Sequence, residues 1–84
     1  MNPLTEDEPQ PDKVSLIRAN LETAIDFARL ALQSEDETEV SRYRRKACDA
    51  YEEALHYLNT ATLSDVEWES IKTMMERFES VLKV

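Results

Sequence analysis

Leu63-Ser64-Asp65-Val66-Glu67-Trp68 has the pattern of a helix start. The Ser64 hydroxyl is spaced to accept from the amide of Glu67, and the Glu67 carboxylate to accept from the amide of Ser64. Two donors that a helix end leaves without partners are then satisfied reciprocally. Leu63 and Trp68 occupy the flanking positions of a hydrophobic staple. Beyond this start, Trp68, Ile71, Met75, Phe78 and Leu82 recur at intervals of three and four, the apolar stripe of an amphipathic helix.

Upstream, the same period appears twice more. Val40, Tyr43, Ala47, Ala50, Ala54, Tyr57 and Ala61 form one stripe, broadened by Tyr51, Leu55 and Leu58. Alanines at successive contact positions let two backbones approach closely, and the tyrosines fill gaps while keeping a polar tip. Val14, Ile17, Leu21, Ala24, Ala28 and Ala31 form the other stripe, with Leu16, Ile25, Leu30 and Leu32 outside its main seam. Asp12 stands where its carboxylate can cap this first helix through the amide of Ser15. Between the two stripes lies the acidic run Ser34-Glu35-Asp36-Glu37-Thr38-Glu39. Ser34 and Glu37 have capping-box spacing there, so the reading places a turn and a new helix start, with one long helix as its rival.

Composition agrees with helices. Glycine is absent from the 84 residues, and Pro3, Pro9 and Pro11 all fall in the first eleven. Hairpins that need positive φ normally use glycine, so a β-rich fold is hard to build from this chain. The expected fold is all-α, a three-helix antiparallel (up-down-up) bundle over residues 12–84. Residues 1–11, MNPLTEDEPQP, are read as a disordered acidic tail that adds nothing to folding. A domain this small buries a thin core and often gains stability from a disulfide, a metal or a second copy. Cys48 is the lone cysteine, which rules out an internal disulfide.

A net charge of −8 repels nucleic-acid backbones and anionic membranes, so neither is expected as a partner. No signal-peptide pattern and no run of roughly 18 apolar residues is present, and a cytoplasmic location is the default. Chemistry-bearing motifs are sparse. Glu53-Ala54-Leu55-His56 carries the Glu-x-x-His spacing of ferritin-like metal sites, with Glu22 or Asp26 as a facing carboxylate and a dimer needed for the second motif. The competing explanation is a solvated polar stripe shared with Lys46 and Asp49, which is preferred, and no cofactor is expected. Arg42, Arg44, Arg45 and Lys46 make the one basic cluster. Pairs along the helix such as Arg45–Asp49 and Arg42 with Glu39 account for part of it. A cradle for an acidic or phosphorylated partner is the functional alternative. Cys48 is read as a buried structural thiol, because His56 lies eight residues, or about 12 Å, further along the helix. Trp68, Met75 and Phe78 are assigned to the core, and Met74 to its edge.

Ala47-Cys48-Asp49-Ala50-Tyr51-Glu52-Glu53-Ala54 resembles the second helix of a tetratricopeptide repeat, whose pattern is Ala-x3-aromatic-x2-Ala. The aromatic, glycine and proline that the repeat would place near Ala31, Glu35 and Asn59 are missing, and so is a second copy. The stretch is therefore more similar to three-helix modules of the microtubule-interacting-and-transport type. That resemblance implies a non-enzymatic module that binds a protein or peptide helix. The apolar breadth of the first two helices adds a second expectation, a homodimer. Arg42, Arg44, Arg45, Lys46, Tyr51, Leu55 and Leu58 are the residues expected to meet a partner. The alternative function is the small ferritin-like metal-binding subunit built on Glu53, His56 and Glu22.

Overall fold

A computed structural model describes residues 12–83, so the segment 1–11 assigned above to a tail lies outside the described residues. The described chain is all-α, with α1 over Lys13–Gln33, α2 over Glu37–Leu58 and α3 over Asp65–Lys83. Short connections fold the three helices into an up-down-up bundle in which α1 packs against both of the others.

Each helix start has an identifiable cause. Asp12 caps α1, its carboxylate accepting from the Ser15 amide at 2.7 Å. That bond, chiefly through the backbone amide of Ser15, holds the Asp12 carboxyl below its ordinary value. The α3 start matches the sequence reading: the Ser64 amide donates to Glu67 Oε1 at 3.0 Å, and the Glu67 amide donates to Ser64 Oγ at 3.2 Å. Ser64→Ala removes one of these bonds. It is expected to lower stability by about 1 kcal/mol, read from the urea midpoint of unfolding.

The start of α2 corrects the sequence reading. The turn is real and α1 and α2 are separate, but Asp36 is the cap, accepting from the Thr38 amide at 2.9 Å. Ser34 instead closes α1, where its amide and its hydroxyl both donate to the Leu30 carbonyl. The hydroxyl expected to open the second helix is thus occupied in ending the first.

Burial follows from α1 lying between its two neighbours. It buries Ile17, Leu21, Ala24, Ile25, Ala28 and Ala31, whereas α2 fully buries Ala47 and Ala54 and α3 fully buries Ile71 and Phe78. Ile25, expected outside the seam, is in the core because α3 covers the flank of α1 on which it stands. One half of the core gathers Ala24, Ile25, Ala28, Ala47 and Phe78, and the other Ile17, Leu21, Ala54 and Ile71. Half of the ten fully buried apolar side chains are alanines, so the α1–α2 seam is close-packed but holds little volume.

The remaining helix pair meets differently. The backbones of α2 and α3 stay more than 8 Å apart among the described residues. Side chains bridge the space: the Tyr51 ring stacks on Phe78 with centroids 4.4 Å apart. At the end where α1 begins, Lys13 Nζ donates to the carbonyl and the hydroxyl of Thr60, tying α1 to the α2–α3 turn. α2 ends at Leu58, so Ala61, expected on its stripe, lies in this turn and packs against the core from there.

Candidate functional site

The residues expected to meet a partner all lie on α2, and the structure distributes them around it. Arg42, Arg44, Arg45 and Lys46 are exposed, while Tyr51, Leu55 and Leu58 are half-buried. Successive residues turn by about 100° around a helix, so four basic side chains at positions 42, 44, 45 and 46 cannot share one face. Lys46 leans toward α1, its Nζ 5.5 Å from the centroid of the Phe27 ring, a cation–π distance. Phe27 in turn stacks on Tyr43 at 6.1 Å, so the stem and charge of Lys46 help to cover that pair. Arg42 and Arg45 share a shallow depression of about 300 Å³ with Thr38 and Ser41. Tyr51 is committed to the Phe78 stack, and burial, then the Glu79 charge, pushes its phenol above its ordinary value.

Two residues assigned to the interior are at the surface. Cys48 is exposed, because it stands one 100° step beyond Ala47, which itself occupies the centre of the seam with α1. Trp68 retains 42% of its surface, and Val66 retains 80%. The first turn of α3 adjoins the α2–α3 connection. There Trp68 borders a depression of about 520 Å³ with Leu58, Ala61 and Leu63, so the staple partners do share one hollow. Leu30 and Leu32, expected outside the α1 seam, are exposed at 39% and 47%.

Glu53 and His56 are exposed on α2, and the His56 ring lies edge-on to Tyr57. Glu22 and Asp26 line a groove between α1 and α3. Among the described residues, no group of three or more His, Cys, Asp or Glu side chains is placed to hold a metal ion. Cys48 and His56 belong to one unbroken helix, which keeps them about 12 Å apart along its axis.

The α1–α3 groove was missed by sequence reading. Its volume is about 490 Å³, with Ile25 and Met74 in its lining and Arg18, Arg29 and Arg77 among its charged residues. Arg18, Glu22, Asp26 and Arg29 follow one another at intervals of four, four and three, a periodic signal in the α1 sequence. The contribution of Arg77 depends on how α3 docks.

Compared with protein-family models, curated proteins and solved structures, the chain has no match in any of the three. Among the described residues, no helix is long and apolar enough to cross a membrane.

Proposed function

We propose that this protein is a non-enzymatic interaction module that works by pairing with a second copy of itself through α2. The observation that carries the reading is the poor burial of that helix. Its 22 residues fully bury only Ala47 and Ala54; Tyr51, Tyr57 and Leu58 pack against the core at the edges of that seam, while Leu55 stays half-covered outside it beside exposed Ser41, Arg44, Cys48 and Glu52. The side of α2 turned away from that seam is covered by no other described element and is open to another surface. Pairing would also add the buried area that a core half made of alanine lacks.

Charge favours α2 over the other helices as the place. Two chains of net charge −8 repel one another, so any self-contact must bring opposite signs together locally. The segment Arg42–Lys46 is basic and the segment Asp49–Glu53 is acidic. Two copies of α2 laid antiparallel would place each basic half against the other's acidic half. Resemblance of residues 47–54 to the contact helix of peptide-binding repeats adds to the interaction reading.

Coupling between folding and pairing supplies the test. A homodimer's melting temperature rises with protein concentration, because mass action stabilises the associated state. Thermal melts followed by circular dichroism over a hundredfold concentration range are expected to shift upward by several degrees. A midpoint independent of concentration contradicts the proposal.

A further inference from the structure

We infer that the α2 pair has its two-fold axis beside Cys48, with Arg44 of each chain facing Glu52 of the other. This rests on the self-association proposed above and specifies its geometry. In an antiparallel pair with a two-fold axis at residue 48, positions whose numbers sum to 96 lie opposite one another. Arg44 then meets Glu52, Ser41 meets Leu55, and Cys48 meets its own copy. Steps of 100° place Ser41, Arg44, Cys48, Glu52 and Leu55 within one arc of the helix, about 80° wide. In the monomer Ser41, Arg44, Cys48 and Glu52 are exposed and Leu55 is half-buried, so the arc is available.

Arg44 and Glu52 are singled out by what the rest of the helix does not offer them. Helical ion pairs join residues three or four apart. Arg45 has Asp49 at that spacing and Arg42 has Glu39, whereas the positions three and four from Arg44 hold Val40, Ser41, Ala47 and Cys48. Around Glu52 those positions hold Cys48, Asp49, Leu55 and His56, with no lysine or arginine. The register that centres on Cys48 pairs these two charges with each other, twice. The small Cys48 side chain at the axis lets the backbones come near, and Leu55 packs over Ser41 and the aliphatic stem of Arg44 on the facing chain.

Charge reversal on the full chain tests the register. Arg44→Glu and Glu52→Arg change exposed residues, and circular dichroism checks that each variant keeps its helicity. Each alone places like charges opposite one another and is expected to weaken dimerisation about tenfold or more by sedimentation velocity. Mixed in equal amounts, the two variants regain opposite charges at both contacts and should recover the dimer. A short bismaleimide, each arm of which adds to one thiolate, should link wild-type chains through Cys48. Wild-type dimers with singles that associate equally well, or with a mixture that fails to recover, would overturn this register and leave self-association standing. A wild-type chain that stays single at every concentration overturns both.

Discussion

Phe78→Ala is expected to lower stability by about 3–5 kcal/mol, the range for truncating a buried phenylalanine. Phe78 is 2% exposed, sits among Ala24, Ile25, Ala28 and Ala47, and carries the Tyr51 ring on its face. No other fully buried residue in that half of the core approaches its volume except Ile25, so the neighbouring alanines cannot refill the space. The stack is also the bridge between α2 and α3, whose backbones stay apart, so its loss loosens α3 as well. A chain of this length has a stability on the order of 4–12 kcal/mol. The variant should therefore show a large fall in its urea midpoint at 25 °C, or unfold outright. A stability within about 1 kcal/mol of wild type would mean that the ring is not a core element.

The second large effect is expected from adding volume. Ala47→Leu places three carbons into the α1–α2 seam, where Ala47 is wholly buried against Ala24 and Ala28. Leucine and alanine are both good helix formers, so helix propensity contributes little of the change. Overpacking of this kind costs about 1–3 kcal/mol, and more where two backbones lie close. Ala19→Leu, at an exposed position of α1, serves as the control and should leave the thermal midpoint nearly unmoved. Equal midpoints for the two variants would show that the alanine seam has room to spare.

These residues also mark how far the sequence could be read. The three helices, the alanine seam and the Ser64–Glu67 box were legible, because periodicity and capping are local properties of a few residues. Spacing alone misled at Ser34, since two helix ends competed for one hydroxyl and the end of α1 took it. Trp68 was assigned inward by its place on the α3 stripe and Cys48 as a structural thiol out of reach of His56, yet exposure depends on which neighbour faces a position. Ala47 faces α1 and Cys48 does not; Trp68 adjoins a turn. The Tyr51–Phe78 stack and the α1–α3 groove join residues from different helices, and their register is a tertiary property that no single stripe encodes. On α2 the list of residues expected to meet a partner was available from sequence. The division of labour within it was not: Lys46 turns to Phe27, and Arg42 and Arg45 gather beside Thr38 and Ser41. Arg44 is left free of helical partners.

Sedimentation equilibrium of the wild-type chain, from low micromolar to high micromolar concentration, tests self-association most directly. The account predicts a weight-average mass that climbs from the 9.8 kDa of one chain toward twice that value, and no further. A mass that stays at one chain throughout would contradict it.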